Sequence, residues 1–474
     1  GGFDGAERPT MTAAGADVEA PSVPVRAGLL LDEDRLNRSV FTLAWPVLVQ
    51  QVALSLVQLV DTFLVGHLGT DALAGVGLAT FIQWTPQAGV FALTAGATAV
   101  LARDIGAAKP EQASVALRMG LLLSLIWGVV TALGVFAVAG PSMGVMGATG
   151  QALDLGATWL RWATPGLAAN AVLFVAIGCL QGAGDTRTPM LVMLCVNVVN
   201  AIVAFVYING SWFFPRLGVA GSGLGFSASQ VVGLGIILAV LTPGRAGVRL
   251  HWPTAFTFDG PVTRRVLKVG LPAGIENLQF QFAMLAYTRV IASLGDVALA
   301  AHNVALRVQG LAFMPGQAFA QSATAMTGQA LGAGKPKLAE RAAFIAARYA
   351  LAILCVVAVT LALFGGPITR VFIDDPAVTA NGRRLLLVFA FALPAIAIAF
   401  TLAGALRGAG DTRTVMYIFA LSPWLLRVPV AYCCAILLGW GVEGAWLGAV
   451  LDMWVRALLT GLRFRRGRWK AIYV

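Results

Sequence analysis

Charge is what this 474-residue chain has least of. Asp, Glu, Lys and Arg together make up 12% of it, against about 25% in ordinary soluble domains. So few polar groups could not cover the surface of a water-soluble fold of this length. Histidine is rarer still, with three residues. The five cysteines, Cys179, Cys195, Cys355, Cys433 and Cys434, all fall inside apolar runs with no His or acid at ligand spacing. A disulfide framework and a metal cluster are both excluded on that ground, and the thiols read as small packing residues. No Ser-His-Asp set and no Gly-x-x-x-x-Gly-Lys-Ser/Thr loop occurs, so neither an enzyme nor a nucleotide-driven machine is expected, and no cofactor.

What fills the sequence instead is apolar residue, 58% of the total, with a mean hydropathy of +0.81. Runs of roughly 18 to 25 apolar residues recur along the whole chain, each long enough to cross a bilayer as a helix. The short alternating segments of a β-barrel are absent. The spans read as roughly 40–66, 74–102, 115–139, 155–180, 187–209 and 219–241, then 267–293, 298–329, 342–364, 383–406, 413–438 and 443–462. The fold class is an all-α polytopic membrane protein of twelve transmembrane helices.

The two sets of six are copies. Gly-Ala-Gly-Asp-Thr-Arg-Thr occurs as Gly182–Thr188 and again as Gly408–Thr414, an offset of 226 (408 less 182). The same offset relates Ile105–Pro110 to Leu331–Pro336, and Leu68-Gly69 to Leu294-Gly295. A period this long means two pseudo-equivalent lobes rather than a solenoid. Six is an even number, so both lobes enter the membrane from one side, related by an axis along its normal. The expected organisation is a disordered N-terminal segment 1–38, a lobe at 39–241, a linker at 242–265, a second lobe at 266–464, and a basic tail at 465–474.

Net charge is +11, and its placement explains it. Arg103, Lys109, Arg187, Arg245, Arg249, Lys335, Arg413 and the Arg463–Lys470 cluster share one side, whereas the turns at 66–73 and 294–297 carry no Lys or Arg. The positive-inside rule puts both termini and the linker in the cytoplasm of a cell whose inner (plasma) membrane holds the protein. Anionic lipid headgroups, not nucleic acid, are the expected partner of this charge. The stretch 1–35 is polar and holds three prolines. It lacks a positive n-region and a cleavage site, so it does not read as a signal peptide.

The paired GAGDTRT loops, LVDTFLVGHLG at Leu59–Gly69, ALAAHNVAL at Ala298–Leu306, QALGAGKP at Gln329–Pro336 and WLLRVPVAY at Trp424–Tyr432 resemble the multidrug and toxic compound extrusion (MATE) transporters. The resemblance covers roughly 38–464. It implies twelve helices in two lobes around a cleft, a monomer, and export of small organic, often cationic compounds against inward flow of sodium ions or protons. A lipid-linked precursor flippase of the same broader superfamily is the alternative. That reading wants several Arg or Lys in the cleft.

An ionisable group in a helix centre costs a few kcal/mol, so each survivor needs a reason. Asp61 in the first span is the leading candidate for ion coupling, and for a sodium ion if one binds. It sits at the edge of a polar stripe of Gln51, Ser55, Gln58 and Thr62, which cannot face lipid tails. Its Val-Asp-Thr setting also matches the family's first-helix aspartate. Glu276 in the seventh span follows Pro272 and Gly274 on a face with Gln279 and Tyr287. Glu276 is the second ion-coupling candidate, and the alternative is a structural pair with Arg307 or another base across the lobe. Asn200 is expected to help coordinate the ion. Gln51, Gln58, Asn170, Asn197, Gln279, Tyr287 and Asn303 are the expected substrate-lining set.

Other polar groups read as structural. Asp452 lies four residues before Arg456 and can neutralise it. Arg427 and Arg307 are expected to bond carbonyls, Arg289 to snorkel, and His302 to be a packing histidine. Asp185 and Asp411 are expected to cap the helices after the repeated loops. Two departures from the family pattern stand out. In one branch the fifth-span Asn is followed four residues later by Asp, where this chain has Ala204. In another a tenth-span aspartate pairs with the seventh-span glutamate, and its place here is Ile396.

Overall fold

The computed structural model describes residues 35–472 apart from 211–213, 255 and 373–374. The expectation for residues 1–34 lies outside the described residues. Helix follows helix throughout, and among the described residues the one β feature is an isolated bridge between Arg245 and Val248. The first lobe comprises α1 (Leu36–Gly66), α2 (Thr70–Trp84), α3 (Gln87–Gly106), α4 (Pro110–Val145), α5 (Gly150–Gly182), α6 (Arg187–Asn209) and α7 (Val219–Leu241). The second comprises α8 (Gly260–Ala292), α9 (Asp296–Gly332), α10 (Pro336–Phe372), α11 (Pro376–Ala390), α12 (Leu393–Gly408), α13 (Thr412–Leu437) and α14 (Gly441–Arg465).

Ten of these helices are long and apolar enough to cross a bilayer, and the bent α11–α12 pair makes an eleventh. The twelfth, α8, is long enough at 33 residues. Its low apolarity comes from Glu276, Asn277, Gln279 and Gln281, clustered in its middle.

Two expected spans are broken. The second divides into α2 and α3 around Thr85-Pro86, and the tenth bends by 50° between α11 and α12. Pro86 and Pro394 supply the reason, because proline lacks the N–H that would continue the ladder. Along α13, π-helical turns at Pro423–Arg427 and Cys433–Leu437 accompany Pro423 and Pro429. The apolar runs continue across all these sites, so hydropathy alone does not register them.

The lobes meet at the end that carries the repeated loops, and they meet symmetrically. A Cβ on Gly106 would lie 2.0 Å from the Gln329 carbonyl oxygen, and one on the equivalent Gly332 would lie 2.1 Å from that of Arg103. Only glycine allows α3 and α9 to cross so closely. The equivalent residues Arg103 and Gln329 then reach into the opposite lobe's loop. Arg103 Nη1 donates to the Ala409 carbonyl at 3.3 Å, and Gln329 Nε2 to the Gly182 carbonyl at 2.8 Å. Along α8, Gly270 and Gly274 pack onto Ala92 of α3 while Gly96 of α3 faces Val266, another seam of small residues.

Each repeated loop is held alike. Asp185 accepts from the Thr188 N–H at 3.0 Å and the Thr188 hydroxyl at 2.7 Å, capping α6 as expected. Asp411 takes the Thr414 hydroxyl at 2.7 Å. It makes no side-chain cap to backbone N–H, which departs from the expectation for that copy. A guanidinium at or just past the end of the sixth span of the same lobe clamps each carboxylate: Arg245 on Asp185 at 2.8 Å and Arg463 on Asp411 at 2.7 Å. Burial works to raise the Asp185 pKa, but the bonds from Arg245 and Thr188 outweigh it and hold the carboxyl below the usual range.

Candidate functional site

The first lobe holds a cavity of about 440 Å³, walled by α1, α2, α5, α6 and α7, with Gln87 at the start of α3. Asp61 lines it, one and a half turns from the end of α1. Its Oδ2 accepts a hydrogen bond from Asn200 Nδ2 at 3.0 Å. Its Oδ1 is buried and, among the described residues, has no donor. The free oxygen of Asn200 is in the same state, as is the amide nitrogen of Asn197 one turn earlier on α6. Two acceptor oxygens without donors, one of them formally charged, make a place suited to a cation or a proton.

The rest of the wall is neutral. Gln87 donates to Asn170 at 3.3 Å, and Asn170 donates to Gln230 at 3.1 Å, tying the second, fourth and sixth spans together. Trp159 Nε1 donates to Ser222 at 3.1 Å beside them. Trp84, Trp159, Phe174 and Phe226 supply aromatic surface, and no Lys or Arg is among the lining residues. Aromatic faces around a single negative charge favour flat apolar cations.

Six of the residues singled out from the sequence therefore share this cavity: Asp61, Asn200, Gln58, Thr62, Asn170 and Asn197. Gln51 does not line it. The neighbouring Gln50 is the buried amide, bonded to Gln181 at 3.2 Å. Gln279 and Asn303 lie exposed on the second lobe. Sequence reasoning missed Gln87 and Gln230. The signal for Gln230 was available, since Ser222, Phe226 and Gln230 recur every fourth residue and so share one face of α7.

The second lobe treats its acids differently. Glu276 is not a lone carboxylate: Arg407 of α12, another base across the lobe as the structural alternative allowed, pairs with it at 2.5 Å, while Arg307 is exposed elsewhere. This removes the reason for assigning Glu276 an ion-coupling role, because a guanidinium already neutralises it. Asp452 accepts from Arg456 Nε at 2.9 Å, Arg427 Nε at 3.0 Å and the Ser422 hydroxyl. Arg427 thus bonds a carboxylate, not the expected backbone carbonyls. Both guanidiniums face the Phe280 ring at 5.8 and 5.7 Å. Tyr287, expected to line a substrate path, is buried between Arg427 and His302. His302 is packed between the Tyr287 and Trp446 rings.

A family model described as MatE matches residues 46–206 and 272–433, one match in each lobe. The chain belongs to the MatE family. It is 29% identical to the Probable multidrug resistance protein NorM of Thermotoga maritima, over 92% of this chain and 93% of that protein. It is 30% identical to the protein of the same name in Xanthomonas axonopodis pv. citri, over 90% and 94%. The crystal structure of the Vibrio cholerae MATE transporter VcmN in the bent form superposes with a TM-score of 0.84 at 22% identity, covering 92% of this chain and 97% of that one. The duplicated twelve-span fold is thus that of the MATE transporters, and this MatE protein is a multi-pass membrane transporter. Within that fold Ala204 is fully buried in α6 one turn beyond Asn200, and Ile396 is fully buried in α12. Each leaves its lobe one carboxylate short of the pattern that the resemblance implies.

Proposed function

We propose that this MatE protein is a secondary efflux transporter for organic, largely cationic compounds, exchanging them for sodium ions or protons at Asp61. One observation carries the reading: Asp61 sits in an aromatic-walled cavity with a neutral amide as its hydrogen-bond partner and no cationic residue in the lining. A buried carboxylate left this way gains from any cation that reaches it, and it cannot neutralise two at once. Competition for that charge couples the two fluxes. The printed names of the relatives, multidrug resistance proteins, agree with the substrate class.

Glu276 has no part in the exchange under this reading. The lobe contact at Gly106 and Gly332 closes the end bearing the basic loops, which the charge distribution assigns to the cytoplasm. The conformation is then the outward-facing one of an alternating-access cycle in the inner membrane, with both termini inside. A flippase for an anionic lipid-linked precursor would need cationic side chains where this cavity has none.

The test is efflux of a cationic dye from cells expressing the chain, with and without a sodium gradient and across external pH. Asp61→Asn is expected to slow efflux by at least about tenfold and to abolish its dependence on the coupling ion, while melting of the purified protein is unchanged. An Asp61→Asn protein that effluxes dye with wild-type ion dependence would remove Asp61 from the mechanism.

A further inference from the structure

The lipid-facing side of the first lobe carries a second hollow of about 550 Å³, between α4, α5 and α7. Phe136, Trp162, Pro165, Val231 and Val232 give it apolar walls, and its one charged residue is Arg161. Arg161 is exposed, and among the described residues it has no carboxylate partner. Its depth places its guanidinium at headgroup level. It lies eleven residues into α5, about 16 Å from the helix start at 1.5 Å per residue. A helix of 33 residues is about 50 Å long and overhangs a 30 Å hydrocarbon core by roughly 10 Å at each end. The Arg161 backbone is then about 6 Å inside the hydrocarbon, within reach of a headgroup phosphate for a long side chain that stretches to the membrane surface.

Pro165 adds a local reason for a hollow here. It lacks the N–H that would bond the Arg161 carbonyl, so the hydrogen-bond ladder of α5 is interrupted at this level. Ser227 of α7 fills the gap beneath. Its hydroxyl donates to the Trp162 carbonyl at 2.6 Å and accepts from the Gly166 N–H at 3.0 Å. The hollow and the Asp61 cavity are therefore two faces of one seam. Trp162, Pro165 and Ser227 face the lipid side, while Trp159, Asn170 and Phe226 face the cavity.

We propose that this groove is a binding site for a glycerophospholipid: one acyl chain lies along Phe136, Trp162, Pro165 and Val231, and the phosphodiester pairs with Arg161. The chain fills an apolar trough that water cannot usefully occupy, and the phosphate supplies the anion that Arg161 lacks. Bound lipid braces the α5–α7 seam from outside and so influences the shape of the cavity on the other side. This inference does not depend on Asp61 being the coupling site.

Native mass spectrometry of the detergent-purified protein tests it. Wild type is expected to retain one phospholipid through extensive delipidation. Arg161→Gln should lower that occupancy by about tenfold, the loss of one charge-assisted contact. Ala228→Trp, which fills the groove and leaves the charge, should lower it as much. Arg216→Gln, altering an exposed arginine in the loop after α6, should leave it unchanged. Both groove variants keeping the wild-type adduct would overturn the proposal, as would equal loss in all three. Melting temperatures and elution profiles matching wild type show that the variants are folded. Added phosphatidylglycerol should restore the adduct in wild type, and inorganic phosphate should not.

Discussion

The two lobes repeat one sequence pattern and one topology, yet they handle the acids lying deep in their spans in opposite ways. In the first, Asp61 faces a cavity with Asn200 as its neutral partner. In the second, Glu276 and Asp452 are held by Arg407, Arg427 and Arg456, three guanidiniums for two carboxylates. The same fold supports both because the second lobe carries arginines on the tenth, eleventh and twelfth spans beside its acids. Paired charges inside a membrane fix helices in place. An unpaired one stores a demand for a cation that comes and goes. Under the proposed function the first lobe is the working half and the second the frame.

This contrast can be broken most forcefully at Asp452. Removing one member of a buried ion pair costs about 3–5 kcal/mol, because the partner is left charged in an apolar setting. Asp452→Ala strands two guanidiniums, so expression and melting temperature should fall sharply, before any transport assay is informative. Arg407→Gln is next. It leaves Glu276 buried without its cation and should destabilise by about 3 kcal/mol. Combining it with Glu276→Gln should recover most of that loss, since two neutral amides can bond each other. A double variant as unstable as the single one would show that the pair is not what holds α8 to α12.

The smallest effect belongs to the loop clamps common to both lobes. Asp185→Asn should cost at most about 1 kcal/mol, because its partner is well exposed to solvent; the Arg245 side chain is 52% exposed. The folded pKa of Asp185 lies below its unfolded value of 3.8. Its contribution is therefore present above that pH and is lost as pH falls through the depressed folded value. Melting of wild type and Asp185→Asn should differ at neutral pH and converge in acid. A gap that persists in acid would assign the effect to packing rather than charge.

Much of this was legible in the sequence, and the failures have physical causes. Span count, duplication and the Asp61–Asn200 partnership followed from apolar run length, a constant offset and a family motif. The position of Gln51 did not, because α1 is apolar nearly all round and its rotational phase is poorly marked; one residue is about 100° of turn. Gln50 took the buried place instead. The pairing of Glu276 with Arg407 joins residues 131 positions apart, and nothing local to either marks it. The breaks at Pro86 and Pro394 were visible as prolines but hidden by uninterrupted hydropathy. Nothing in the sequence around Arg161 sets it apart, since depth and exposure are three-dimensional facts.

The bare backbone crossing at Gly106 and Gly332 has a mechanical consequence. Contact between two bare backbones behaves as a pivot, flanked by the Arg103 and Gln329 hydrogen bonds that must give when the angle changes. The 37 residues of α9 make a lever of about 55 Å from that pivot. A turn of about 10° there carries the far end through roughly 10 Å, enough to admit or release a drug-sized molecule without deforming either half. A methyl group at either glycine would jam the bearing while leaving every charge in the protein where it is.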